Sequence, residues 1–269
     1  MLPSFRLVRP RSLGEALEAI NEDKVPYCGG TELLLAMRAG LTRPEALVDI
    51  KNIPELTGIR VDVDGPRVVV LGSVERHMDL AAHPVVREQL PMLAQVERGV
   101  GNARVRAQGS IGGNLCFAEP KSDVATALVA YGAEVSLISP AGARTVAVKE
   151  FVAGPYWADK QPEELLVDIR VPVPGNRTRA VYLKYQIAER PTLGVALLHD
   201  PDSHVCRLVV GALGEVQTLF TFADPGEIEP EAVAGELDPT PDLTGSELYK
   251  RHVAAVFIRR AMNALEEAA

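Results

Sequence analysis

Two spacings of apolar residues alternate along the first part of the chain, and each marks a kind of element. Leu13, Ala16, Leu17 and Ile20 recur at a helical period, so residues 13–20 are predicted to be a helix. Ser12 and Glu15 at its start make a capping box, a serine cap answered by a glutamate. Short apolar runs read as strands at residues 5–8, 25–28, 46–49, 59–63 and 67–72. The last two flank Asp64-Gly65, a hairpin signal. Residues 33–39 read as an apolar helix closed by Gly40, and residues 53–56 as a short helical turn. Ser73 is placed to cap a helix over 75–81, and 91–100 reads as a helix ending at Gly101. Asp123 opens a helix through Tyr131. Strands follow at 134–139, 144–148 and 165–171, with a short helix or turn at 149–152.

The pattern changes at Pro174-Gly175-Asn176, a plausible domain boundary where Pro and Gly cluster. Beyond it, residues 180–186, 193–199, 205–212 and 216–222 are four strand-like runs in succession, which predicts an antiparallel meander. The segment 199–204, with His199 and His204, superficially resembles a metal cluster; its Pro and Asp content between two strands reads as a hairpin turn. Residues 224–244 are acidic and proline-rich and read as a connecting segment. Residues 246–268 read as a final helix capped by Ser246. Its apolar face is expected to run through Leu248, Val253, Val256, Phe257 and Ala261 and to pack on the sheet.

Composition narrows the function. The 269 residues are 47% hydrophobic and 24% charged, the balance of a soluble globular chain of two or three domains. The formal net charge of -8, with no basic cluster beyond short pairs, argues against nucleic acid as partner. No apolar run reaches the ~18 residues that span a bilayer. The start of the chain lacks a signal-peptide core, so a cytoplasmic location is expected. Cys28, Cys116 and Cys206 are far apart and form no ligand set for zinc or iron–sulfur. If the chain moves electrons, it needs an organic cofactor. His77 and His83 lie without partner acids at ligand spacing, and surface or capping roles are expected for both.

Two glycine-rich segments stand out. Gly29-Gly30-Thr31-Glu32 joins a predicted strand to a predicted helix, a geometry suited to phosphate as well as to a simple tight turn. Thr31 is placed to cap that helix. Glu32 would repel a phosphate beside it, so it is expected to point elsewhere, for instance to a hydroxyl. The stretch 106–123 reads as a glycine-rich loop without apolar period, holding Gly109, Ser110, Gly112, Gly113, Asn114 and Asp123. It reads either as an ordinary surface loop or as an anion nest. The nucleophile elbow, the HExxH helix, the P-loop and the strict GxGxxG fingerprint are all absent from the sequence. Two such turns suit the two sides of one pyrophosphate, as in an extended FAD bound without a Rossmann fold.

The motifs Cys28-Gly-Gly-Thr-Glu-Leu-Leu34, Gly109-Ser-Ile-Gly-Gly-Asn-Leu115 and Pro120-Lys-Ser-Asp123 resemble those of the FAD-binding subunits of molybdenum hydroxylases. This is the family of carbon monoxide dehydrogenase medium subunits and xanthine dehydrogenase flavin domains. Further matches are Val100-Gly101, Tyr182-Leu-Lys184 and Ser246-Glu-Leu-Tyr-Lys-Arg-His-Val253, so the resemblance runs along essentially the whole chain. It implies an α+β chain: an FAD-binding fold of vanillyl-alcohol-oxidase (PCMH) type in two subdomains, residues 1–55 and 56–174, then a C-terminal domain over 177–269 with an antiparallel sheet packed on helices. It implies FAD here, with molybdopterin and [2Fe–2S] clusters only on partners. Cys28, Gly29, Gly30, Thr31, Glu32 and Leu33 would hold the pyrophosphate and nearby ribitol, mostly through backbone amides. Ser110, Ile111, Gly112, Gly113 and Asn114 would wrap its other side, and Gly101 and Ser122 belong to the same set. Asp123 would accept hydrogen bonds from ribityl hydroxyls. Lys184 would lie near the flavin ring. No residue of this chain would be catalytic on substrate, and none would bind metal.

The implied partners are a large molybdopterin-binding subunit and a small [2Fe–2S] subunit, as a dimer of heterotrimers, plus an external electron acceptor. Two other readings compete. A stand-alone flavin oxidoreductase would need its own substrate cap, and the C-terminal region looks too plain for one. A flavin-free scaffold would keep the glycine loops without ligand.

Overall fold

A computed structural model describes residues 2–187 and 190–267. The first unit contains β1 (Arg6–Val8), α1 (Leu13–Ala19), β2 (Lys24–Tyr27), α2 (Leu33–Ala39) and β3 (Ala46–Asp49). Its strands are parallel in the order β1-β3-β2, which requires the crossovers that α1 and α2 supply. Leu47 and Val48, on the central strand, are both fully buried. Ser12 caps α1 by accepting from the Glu15 amide.

The second unit is built on β4 (Ile59–Asp62) and β5 (Val68–Gly72), then α3 (His77–Ala82), α4 (Pro84–Gln89), α5 (Pro91–Arg98), α6 (Ala103–Gln108), α7 (Ile111–Phe117) and α8 (Asp123–Tyr131). β6 (Glu134–Ser139), β7 (Gly142–Ala147), α9 (Val148–Phe151), β8 (Val152–Gly154), β9 (Trp157–Ala158) and β10 (Leu165–Pro172) complete it. An antiparallel sheet runs β4-β5-β10-β6-β7, and β8 and β9 form a separate hairpin. Every residue of α8 is buried.

The third unit is the expected meander, β11 (Arg179–Tyr185), β12 (Leu193–Asp200), β13 (Val205–Gly211) and β14 (Thr218–Phe222), with α10 (Pro230–Glu236) and α11 (Glu247–Glu267). Alternation along its strands feeds two cores. Tyr182, Ala196, Leu198 and Val209 point into the core around α8, while Leu193, Val195, Leu197, Leu208 and Val210 face α11. The 199–204 segment is the hairpin turn between β12 and β13, as expected.

Five expectations fail, wholly or in part, for physical reasons. Residues 106–123 are not one loop. The stretch contains the last three residues of α6 and all of α7, because Ser110 caps α7 and Ile111 and Leu115 are buried one turn apart. Packing overrides the weak helix propensity of Gly112 and Gly113. Ser73 caps nothing; α3 begins at His77, and Ser73 is buried with its carbonyl accepting from the Gly112 amide. His77 is not on the surface but 2% exposed. The 224–244 segment contains α10, which buries Val233 and Ala234. On α11 the expected face holds in part: Ala261 is buried and Val253 and Phe257 pack half-buried on the core, but the buried stripe is centred on Lys250, Ala254, Ile258, Ala261 and Leu265, and Leu248 lies exposed. Ala268, the expected end of that helix, lies outside the described residues. No helix among the described residues is long and apolar enough to cross a membrane.

Candidate functional site

The two glycine segments meet backbone to backbone. A β-carbon on Gly29 would lie 2.1 Å from the carbonyl oxygen of Gln108 and 2.8 Å from Cα of Gly109, so only glycine allows this approach. Cys28, next to it, is half-buried with the Ser110 hydroxyl beside its thiol. Burial pushes that thiol up, and the Ser110 hydrogen bond and the charge of Lys51 pull part of the way back.

The first segment leaves its amides open. Gly30 takes the left-handed conformation, φ 68°, and turns the chain from β2 toward α2. Its carbonyl and that of Glu32 accept from Leu34 and Ala36. The N–H groups of Gly30, Thr31, Glu32 and Leu33 donate to no protein atom among the described residues. A row of unpaired donors of this kind is an anion-binding concavity. Thr31 is not the cap: Glu32 holds that position without a side-chain capping bond. The Glu32 carboxylate does turn away, to the Arg190 guanidinium at 3.2 Å rather than to a hydroxyl. Arg190 also pairs with Glu119, so it ties the first segment to the end of the second.

The second segment spends its amides on the protein. Ile111 donates to the Glu75 carbonyl, Gly112 to Ser73, Gly113 to the Ser110 hydroxyl, and Asn114 to the Ser110 carbonyl. Its glycines serve different ends. A β-carbon on Gly112 would strike the Ser73 carbonyl at 2.6 Å, and one on Gly109 would crowd the His77 ring at 3.0 Å. Gly113 is exposed, and a β-carbon there would meet only the Ser110 hydroxyl. The first segment therefore offers donors, and the second offers a bare backbone that a ligand can approach closely. Gly101 is also left-handed, φ 43°, and lies exposed; its carbonyl accepts from Arg106.

Beyond Gly113 a polar chain leads inward. The Asn114 side-chain oxygen accepts from the Ser122 hydroxyl at 2.7 Å, and Ser122 caps α8. Asp123 is 8% exposed. Its Oδ1 accepts from the Tyr182 hydroxyl and its Oδ2 from Lys184 Nζ at 3.0 Å; Lys184 also donates to the Gly99 carbonyl. Burial, joined by the Asp123 charge, raises the Tyr182 phenol far above its ordinary value. Sequence reasoning named Lys184 and Asp123 but missed Tyr182 as their partner. The available signal was Gly194 inside an apolar strand, which leaves room for the phenol.

The two segments are thus joined at Gly29 and Gly109, with Cys28 beside Ser110; of the second segment's expected residues Ser110, Ile111 and Gly112 are buried, Asn114 is half-buried and Gly113 is exposed. Open amides, hydroxyls and a bare helix backbone suit a pyrophosphate with polyol groups. Among the described residues no group of three or more His, Cys, Asp or Glu side chains is placed to hold a metal ion.

Comparison with known proteins agrees with this chemistry. The family described as the FAD binding domain in molybdopterin dehydrogenase matches residues 3–174. The chain is 31% identical to the carbon monoxide dehydrogenase medium chain of Hydrogenophaga pseudoflava, with 97% of each chain covered. It is 28% identical to the glyceraldehyde dehydrogenase medium chain of Sulfolobus acidocaldarius, covering 96% of this chain and 97% of that one. A solved structure of carbon monoxide dehydrogenase from H. pseudoflava, lacking the Mo-pyranopterin moiety of its molybdenum cofactor, superposes with a TM-score of 0.89. That match is 29% identical and covers 99% of each chain. The α+β architecture of an FAD-binding domain followed by an antiparallel-sheet domain is shared with that structure.

Proposed function

We propose, from the premise that this chain belongs to the family of FAD binding domains in molybdopterin dehydrogenases, that it is the FAD-carrying, electron-relaying subunit of a molybdopterin-dependent oxidoreductase complex. The observation that carries the reading is the row of unpaired amides at Gly30, Thr31, Glu32 and Leu33 beside the bare backbone of Gly113. Those amides bind the pyrophosphate, and Gly113 lets it come close. Asn114 borders it through its half-buried side chain, and the buried Ser110 holds the turn behind Gly113. Asp123, although already paired, keeps a second lone pair on each oxygen for ribityl hydroxyls. Lys184, 23% exposed at its side chain, faces the flavin end and stays positioned by Asp123 and the Gly99 carbonyl. Bound FAD supplies a group that takes up electrons from iron–sulfur centres and releases them to an external acceptor. The chain contributes binding, orientation and exclusion of water rather than acid–base chemistry on substrate.

The partners in this reading are a large molybdopterin subunit and a small [2Fe–2S] subunit, arranged as a dimer of heterotrimers. Relatives that bear the name medium chain support such a division. The test is to purify the chain alone and with its native partners and to measure flavin, molybdenum and iron per chain. A yellow chain that is inert alone and reducible within a molybdenum- and iron-containing complex is the expected result. Substrate turnover by the isolated chain would point to a self-sufficient flavoenzyme instead, and a colourless chain in the intact complex would sink the assignment.

A further inference from the structure

Beneath the meeting point of the two glycine segments lies a buried pair that the binding surface does not use. His77 Nδ1 and Glu97 Oε2 are 2.6 Å apart, with side chains 3% and 0% exposed. Such a contact needs one proton between nitrogen and oxygen. The other carboxylate oxygen, Oε1 of Glu97, is buried without a hydrogen-bond partner among the described residues. An unpaired buried carboxylate oxygen is costly, and a hydrocarbon pair of the same shape would fill this site without that penalty. Stability alone therefore gives no account of the pair.

Its position does. The imidazole edge lies against Gly109: a β-carbon there would sit 3.0 Å from Cδ2 and 3.3 Å from Nε2. The His77 backbone amide donates to the Gly109 carbonyl. The same short stretch continues the contact, because Ile111 donates to the Glu75 carbonyl and Gly112 to the Ser73 carbonyl. Gly29 also packs against Gly109. The pair is thus one layer below the junction of the two segments. Glu97 anchors the ring to α5, the helix whose following residue, Gly99, holds Lys184.

We infer that His77 and Glu97 are positioning residues for the dinucleotide site: their hydrogen bond fixes the ring against Gly109 and so sets residues 109–113 in the binding conformation before the ligand arrives. Pre-ordering of this kind lowers the entropic cost of binding. The inference rests on the FAD reading for its ligand, but not for the ordering of the segment.

The test compares the wild type with His77→Leu/Glu97→Met, a double variant of similar volume, and with Leu93→Ala, a core change one turn before Glu97 on α5 that leaves the pair intact. FAD affinity is measured by titrating the flavin-free chain. Amide exchange of residues 109–113 is followed by mass spectrometry in the same flavin-free chain. The double variant is expected to keep a melting temperature near that of the wild type, to exchange faster over 109–113, and to bind FAD about tenfold more weakly, the scale of second-layer effects at other sites. Leu93→Ala is expected to melt earlier with unchanged affinity and exchange in that segment. If the double variant does not fold, Glu97→Leu, which removes the hydrogen bond and keeps the imidazole, stands in for it with the same signs. Unchanged exchange and affinity in the folded variant, or an equal loss in Leu93→Ala, would overturn the inference. If the wild type binds no FAD, the function proposed above fails, and the exchange measurement still decides this one.

Discussion

Gly194, paired with Lys184 across β11 and β12 and so diagonal to Tyr182, lies under the phenol so closely that a β-carbon would come within 2.3 Å of the phenolic oxygen. The missing side chain is what lets Tyr182 reach Asp123. Gly194→Ala is expected to push the phenol off the carboxylate and to cost about 2 kcal/mol, the range of an overpacked core with a lost hydrogen bond. In a Tyr182→Phe background the oxygen is gone, and most of that cost should vanish. Urea unfolding of the four proteins in this cycle measures the coupling; full additivity would contradict the geometry.

Lys184 neutralises a carboxylate that is almost fully buried. Lys184→Met leaves Asp123 charged and unpaired, and a loss on the order of 3 kcal/mol is expected from breaking a buried pair. The double variant Lys184→Met/Asp123→Asn should recover much of it. The same unfolding experiment reads both numbers.

The glycines of the second segment predict a separation of effects. Gly113→Asp places bulk and charge on the open face and should abolish FAD binding, while the flavin-free chain melts within a few degrees of the wild type. Gly112→Ala drives a carbon into the Ser73 carbonyl and should lower the melting temperature of the flavin-free chain first. Differential scanning calorimetry with and without added FAD distinguishes the two. A Gly113→Asp chain that retains FAD at normal affinity would refute the placement of the site.

Asp242 joins the loop ahead of α11 to the segment before α8. Its carboxylate lies 2.8 Å from Lys250, which is 1% exposed, and 2.9 Å from Lys121. Burial pushes its pKa up, but hydrogen bonds from Lys250, Thr244 and Lys121 outweigh burial and hold it well below the ordinary carboxylate range. A depressed folded-state pKa adds stability above the unfolded value, about 3.9, which is lost as pH falls further toward the folded value. Melting temperatures of the wild type and Asp242→Asn should therefore differ most near neutrality and converge in acid. A gap that stays constant down to pH 3 would contradict the role of this charge.

The thiols should be slow. Burial lifts Cys116 to about 11 and Cys206 to about 12, so little thiolate is present at neutral pH. In a thiol-reagent time course on the folded chain, Cys28, the third, is expected to react first and to be protected by added FAD, since it borders the glycine junction. Equal rates with and without FAD would argue against that border.

The strands and most helices were legible because their spacings are local properties. Ser12 with Glu15, Gly40 after α2, and Asp64-Gly65 between β4 and β5 each sit where their chemistry is used. The glycine motifs were legible for the same reason. What escaped depended on distant neighbours. Nothing within reach of residue 112 in sequence announces that Ser73 occupies the space where its β-carbon would be. His77 looked solitary because its acid, Glu97, comes from another helix. The centre of the stripe on α11 escapes because alanines, small enough to let the helix close on the sheet, weigh less in an apolar pattern than the exposed Leu248. Tyr182 read as a strand residue, and only the pairing with β12 shows why its hydroxyl has a place to go.

The helix α8 has core on every side, and one of those sides is the C-terminal meander. The recognisable FAD module ends at residue 174, so its sequence limit does not coincide with a surface. A gene fragment stopping there would leave α8 facing water where Ala196, Leu198 and Val209 now cover it. The two parts therefore share one wall, and cutting the chain at the end of the module would strip one side of its fully buried helix.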